Sequence, residues 1–152
     1  MRQLDVLLID DNQADIKLAL HVIGEDPTRR VHVIRDGEEA MNAIIGGQPY
    51  IAQRWSLGLV LLDLKLPKVN GFEILEALRE RSAFKTLPVV VVSSSNQDRD
   101  VQKSYALGAN GYVQKPVDFD QFRNVIRRIT AYWLDTNLVP RAHSSEDAET
   151  DG

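Results

Sequence analysis

Five positions in this chain carry groups that could do chemistry together. Asp10 and Asp11 stand side by side after the run Leu4 to Ile9, and Asp63 follows Leu59 to Leu62. Ser93 follows Val89 to Val92, and Lys115 follows Gly111 to Gln114. Each group therefore ends a stretch that reads as a β-strand. In a parallel sheet with the first strand beside the third, the three acids meet at one sheet edge, where open α/β sheets bind ligands. Carboxylates gathered so closely repel unless a cation neutralises them. Hard oxygen ligands with open positions suit Mg²⁺. Ser93 adds a hydroxyl and Lys115 a positive charge. A carboxylate nucleophile, Mg²⁺ and two groups able to hold phosphate make a site for an aspartyl-phosphate. Asp63 by itself reads equally well as a turn cap; only its companions make it a site.

The elements that must deliver these groups follow from hydrophobic pattern. Leu59 to Leu62 is continuously apolar, as a strand buried on both faces of a parallel sheet should be, and Pro67 bars its extension. Leu4 to Ile9, Val31 to Ile34, Val89 to Val92 and Gly111 to Gln114 supply four more strands. Between them lie helical patterns. Asn12 and Asp15 flank the opening of the first, where short polar and acidic side chains satisfy free N–H groups and the dipole. It carries Ile16, Ala19, Leu20 and Ile23 at helical spacing. Later helices carry Phe72, Ile74, Leu75 and Leu78, then Asp98 to Leu107, then Phe119, Phe122, Ile126, Ile129 and Trp133. Five strand–helix alternations predict an α/β fold: a doubly wound five-stranded parallel sheet, order 2-1-3-4-5 (flavodoxin-like), with helices on both faces. Residues 46–57, with Gly46-Gly47, Pro49 and Trp55, read as a surface loop or a short helix extension. The expected organisation is one domain over residues 1–140, in which the last helix runs on, and a disordered acidic tail over 141–152.

Composition narrows the function classes. The 152 residues carry a net charge of −4, with no Lys/Arg block, which disfavours nucleic-acid binding by electrostatics. There are no cysteines, so thiol chemistry is excluded. No apolar run approaches a membrane span and no signal peptide is visible, which makes a cytoplasmic location the default expectation. His21, His32 and His143 are scattered, and none reads as a phosphorelay or metal residue.

The set Asp10-Asp11, Asp63, Ser93 and Lys115-Pro116 resembles the receiver domain of two-component response regulators, over residues 4 to about 130. The resemblance implies that Asp63 accepts a phosphoryl group from a histidine-kinase phosphohistidine. It implies that Asp11 and Asp63 ligate Mg²⁺ with the Lys65 carbonyl, while Asp10 acts mainly through water. Ser93 would hydrogen-bond the phosphoryl oxygens and Lys115 would pair with them, its bond to Pro116 being cis. Tyr112 matches the aromatic switch whose ring turns inward as Ser93 moves; the lesser alternative is an edge-strand surface aromatic. Lys65 departs from the neutral residues common two positions after the phosphoacceptor, which leaves the phosphoryl lifetime open.

With no room expected for an output domain after residue 134, output would come from binding. Tyr132, Trp133, Leu134, Leu138 and Val139 make the ending more apolar than a finishing helix needs, which predicts either docking onto the domain itself or an interface, as in a homodimer. The longer spacing from Asp10-Asp11 to Asp63 and the Y-W-L…L-V-P ending resemble regulators that partner phytochrome-class kinases. Dimerisation is expected through the fourth and fifth strand–helix region. Such a protein is no enzyme beyond self-phosphorylation and autodephosphorylation; it signals or drains phosphate. Two other classes fit less well. A haloacid-dehalogenase-type phosphatase would need an acid/base Asp where Lys65 stands. A flavin binder would need a neutral phosphate loop where Asp10-Asp11-Asn12-Gln13 stands.

Overall fold

The computed structural model describes residues 4–45 and 56–140. The loop expected over residues 46–57 falls almost wholly outside that range, as does the tail 141–152. Five parallel strands form one sheet: β1 (Asp5–Ile9), β2 (Arg30–Ile34), β3 (Leu57–Leu62), β4 (Val89–Ser93) and β5 (Gly111–Gln114). Their spatial order is β2-β1-β3-β4-β5, as the alternation of elements predicts. The helices are α1 (Gln13–Ile23), α2 (Gly37–Ile45), α3 (Gly71–Glu80), α4 (Asp98–Ala106) and α5 (Phe119–Thr130). A 3-10 turn, Ser82–Phe84, and a π-helical turn, Ala131–Thr136, complete the described elements.

Strand alternation divides the core in two. Leu7, Ile9, Val60, Leu62, Val89 and Val91 face α2 and α3, joining Ile44, Ile74, Leu75 and Leu78. Val6, Leu8, Leu59, Leu61, Val90 and Val92 face α1 and α5, joining Ile16, Ile23, Phe122 and Ile126. The three inner strands are buried on both faces, which accounts for their unbroken apolar runs. Two residues expected in the core face outward instead: Leu20 and Phe119. In α1 the buried stripe runs through Val22 rather than Leu20, and Phe119 is the first residue of α5, before the helix meets the sheet.

Helix α4 is held differently, since its one buried residue is Ser104, whose hydroxyl donates to the Asp100 carbonyl at 2.7 Å. Arg79 closes the neighbouring loops, its guanidinium donating to the carbonyls of Phe84, Leu87 and Gly108 at 2.8–2.9 Å.

The C-terminal turn folds back on its own domain. Trp133 and Leu134, expected as interface residues, pack against the α1/α5 side of the core, and Leu134 reaches Gly58 at the start of β3. Asp135 pairs with Arg29 at 2.5 Å, tying the turn to the loop before β2. Packing the two apolar side chains partly into the parent domain takes some of their surface from water without a partner. Of the two expected alternatives, Trp133 and Leu134 follow docking onto the domain itself, while Tyr132 and Leu138 remain exposed.

The strand ends are positioned by tight backbone approaches. Gly71 opens α3 directly against the Asp63–Leu64 backbone, its N–H donating to the Leu64 carbonyl at 2.8 Å. A Cβ there would lie 2.4 Å from the Asp63 carbonyl oxygen and 2.6 Å from the Leu64 Cα. Gly71→Ala is therefore expected to destabilise the fold by about 1–3 kcal/mol, measured by urea unfolding. An unchanged midpoint would show that α3 can slide off the strand end freely.

Candidate functional site

Register brings the sequence-distant groups together. Ile9 pairs with Leu62 and with Ile34, and Leu62 pairs with Val91, so β1 and β3 end level. The ladder continues one residue past the strands: Asp63 N–H donates to the Ile9 carbonyl at 2.9 Å, and Lys115 N–H to the Ser93 carbonyl at 2.7 Å. Backbone bonds therefore fix the Cα positions of Asp63 and Lys115.

At this edge one oxygen each from Asp10, Asp11 and Asp63 lies within 4.8 Å of the others. Asp10 is 4% and Asp63 8% exposed, whereas Asp11 is open to solvent. The ammonium of Lys115 donates to Asp10 Oδ2 at 3.0 Å, to Asp63 Oδ2 at 3.0 Å and to Asp15 Oδ2 at 2.8 Å. The remaining oxygens meet backbone: Asn12 N–H donates to Asp10 Oδ1 at 2.9 Å and Lys65 N–H to Asp63 Oδ1 at 3.2 Å. A cavity of about 600 Å³ opens beside Asp11, bounded by Lys65, Phe72, Ser93, Ser95 and Asp100 among others. Of the three clustered acids, Asp11 is the one that lines it.

Three carboxylates share one ammonium and Asp11 stands beside two of them, so the cluster keeps an excess of negative charge on hard oxygen donors. That donor set fits a divalent cation such as Mg²⁺ or Mn²⁺. The strain is visible in Asp10. Burial pushes its carboxyl up from 3.8 to about 6, and the Asp63 charge adds to the rise, against the Asn12 N–H and Lys115, which pull it down. For Lys115, burial opposes the charge, but the hydrogen bond to Asp15 and the charges of Asp63 and Asp10 outweigh it and raise the pKa.

Ser93 is fully buried at the end of β4, where its Oγ accepts from Ser95 N–H at 3.2 Å. Tyr112 is no unpaired surface aromatic: its hydroxyl donates to the Ser95 carbonyl at 2.8 Å and its ring packs on the α2/α3 side of the core. Ser95 Oγ in turn donates to Asp100 Oδ2 at 2.6 Å, which ties the loop after Ser93 to α4.

One expectation is corrected and one residue is new. Among the described residues every peptide bond is trans, including Lys115–Pro116. The trans form is the intrinsically favoured one by about 0.5–1 kcal/mol, and from it Lys115 already reaches all three carboxylates. Sequence reading gave Asp15 only a role in opening α1. Asn12 caps that helix, accepting from Asp15 N–H at 3.0 Å. Asp15 thus stands in the first turn, where side chains lean back toward the helix N-terminus and, here, toward the site. The signal that could have found it is the charge balance, one lysine set among several acids.

The fold, the strand-end acids and the lysine define a receiver domain. A family model for the response regulator receiver domain matches residues 6–127, and the chain belongs to that family, whose members act in two-component signalling. The response regulator Rcp1 of Synechocystis sp. is 33% identical over 138 residues, covering 90% of this chain and 93% of its own length. A probable methanogenesis regulatory protein of Methanothrix harundinacea, FilR2, is 32% identical over 139 residues, covering 89% and 86%. Among solved structures, the phosphorylated cyanobacterial phytochrome response regulator RcpA superposes with a TM-score of 0.84 at 34% identity, covering 91% of this chain and 99% of that one. The Mn²⁺-bound form of Rcp1 gives 0.81 at 31% identity, covering 90% and 98%.

The raised Asp10 carboxyl carries a sign. Between pH 3.8 and about 6 the folded protein binds the Asp10 proton more tightly than the unfolded chain does, so this group's contribution to stability falls as pH rises through that window. In metal-free buffer, Asp10→Asn is expected to gain on the wild type by about 1–3 kcal/mol between the two ends of the window. Urea unfolding in chelator across a pH series measures it, and a difference that does not vary with pH would refute it.

Proposed function

We propose that this receiver domain takes a phosphoryl group on Asp63 from a histidine kinase and signals through a changed protein-binding surface. The observation that carries the reading is the Lys115 ammonium held 3.0 Å from Asp63 at the rim of a three-carboxylate cluster. A nucleophilic carboxylate, a cation site and a charge-pairing lysine are what transfer to an aspartate requires.

In the proposed reaction an Asp63 carboxylate oxygen attacks phosphorus, the new P–O bond forms, and the P–N bond of the phosphohistidine breaks. The leaving imidazole nitrogen takes a proton from water. Asp11, Asp63 and the Lys65 carbonyl would hold Mg²⁺, with Asp10 acting through water. The bound cation supplies charge neutralisation on the phosphoryl oxygens. Lys115 turns its Asp63-facing N–H to a phosphoryl oxygen, and the Ser93 hydroxyl turns to another. Ser95, held by both Ser93 and Tyr112, is then the link through which occupancy of the site reaches β5 and α4. Exposed Lys65 sits beside the acceptor and bears on how long the phosphoryl group lasts.

The proposed partner is a phytochrome-class kinase, supported by the likeness to the phytochrome response regulator RcpA and by the Y-W-L…L-V-P ending. The proposed assembly is a homodimer formed in the cytoplasm, with Tyr132 on the exposed side of the C-terminal turn.

Incubation with Mg²⁺ and acetyl phosphate, followed by intact mass and size-exclusion elution, tests this. Wild type is expected to gain one phosphoryl group and elute earlier, while Asp63→Asn gains none. Wild type that stays unlabelled, or Asp63→Asn labelled equally, overturns the reading; labelling without an elution shift removes the dimer from it.

A further inference from the structure

Lys115 has three N–H donors, and among the described residues three carboxylates accept them. Two of the three have other work on the reading above, on which this inference rests. Asp63 gives its oxygen to phosphorus. Asp10 belongs to the oxygen cluster that faces a cation. Asp15 does neither: it lies outside that cluster, and its contact with the ammonium is the shortest of the three at 2.8 Å.

Asp15 is also a firm anchor. Its N–H is capped by Asn12 at 3.0 Å, its side chain is 15% exposed, and the next residue, Ile16, is buried in the core. At the other end, the Lys115 backbone is fixed to Ser93 at 2.7 Å. The lysine side chain thus spans the site from β5 to α1 with both ends tied. A free lysine keeps much rotamer entropy, which must be lost each time it meets a phosphoryl group. A tied one has already lost it.

We propose that Asp15 is a positioning residue for Lys115: it holds the ammonium over Asp63 through the whole phosphorylation cycle, while Asp10 and Asp63 are engaged by cation and phosphoryl group. Its effect runs through Lys115 alone, which separates it from a capping or stability role.

The test is a double-mutant cycle read as initial labelling rate by acetyl phosphate at saturating Mg²⁺, with Mg²⁺ affinity measured by calorimetry. Asp15→Asn is expected to slow labelling about tenfold, the scale of one charge-assisted hydrogen bond, with Mg²⁺ affinity changed by no more than about threefold. Asp15→Glu, which keeps the charge, is expected to recover most of the rate. In a Lys115→Met background the Asp15→Asn change should cost nothing further. Wild-type rates in Asp15→Asn would overturn the proposal, as would an equal slowing with and without Lys115. Should Asp15→Asn fail to fold by circular dichroism, Asp15→Ser carries the same cycle. A wild type that is not labelled at all would instead sink the receiver reading.

Discussion

The sheet edge concentrates more negative charge than its single lysine can balance, and much of the structure is arranged to tolerate that. Two unit charges about 4 Å apart repel by roughly 4 kcal/mol near a protein surface. Asp10, Asp11, Asp15 and Asp63 around one ammonium therefore form a cluster that is uncomfortable when empty of cations. Asp10 registers the discomfort most directly, its carboxyl held at about 6 by burial and by Asp63. A cluster in this condition suits a divalent cation, which would relieve its repulsion. On the proposed reading, the same repulsion would disfavour a phosphoryl group without that cation.

Rigidity on one side and looseness on the other follow from the same elements. The acids stand on β1 and β3, whose side chains are buried on both faces, and the ladder runs on to Asp63 itself. This half supplies the precision that transfer needs. Ser93, Tyr112 and α4 form the other half, where α4 buries only Ser104 and is held by hydrogen bonds through Ser95, Asp100 and Ser104. Elements with few buried apolar contacts open at low free energy. The site thus sits at the boundary between a half packed by buried apolar side chains and a half held mainly by hydrogen bonds.

Much of this was legible in the sequence because buried parallel strands announce themselves. Leu59 to Leu62 and Val89 to Val92 are unbroken apolar runs, and the polar residue ending each run, Asp63 or Ser93, stands at the candidate site. Strand order then brought Asp10, Asp11 and Asp63 to one edge. Asp15 escaped because a first-turn acid has an adequate local explanation in the helix dipole, and its contact with Lys115 spans 100 residues of sequence. Trp133 and Leu134 read as surplus apolar surface, since their place beside Gly58 depends on where the turn folds, not on spacing. Leu20 and Phe119 fit a helical period equally well on either side of the true buried stripe. The Lys115–Pro116 bond differs by too little energy between isomers for sequence to decide it.

Lys115 joins these themes. It crosses from the looser β5 side to the rigid α1 side, and at each end the chain gives it a partner that phosphorylation leaves in place: the Ser93 carbonyl for its backbone and Asp15 for its ammonium. A phosphoryl group on Asp63 adds a charge of about −1.5 to −2 by analogy with other phosphorylated side chains. An untethered lysine would follow that charge, and the pull would be spent on its own flexible stem. A lysine tied at both ends cannot. The attraction is then borne by groups with freedom to respond, and on the β4 side that is the Ser93 hydroxyl, with Ser95, Tyr112 and α4 behind it. On the proposed reading, fixing one phosphate ligand is what lets the other report.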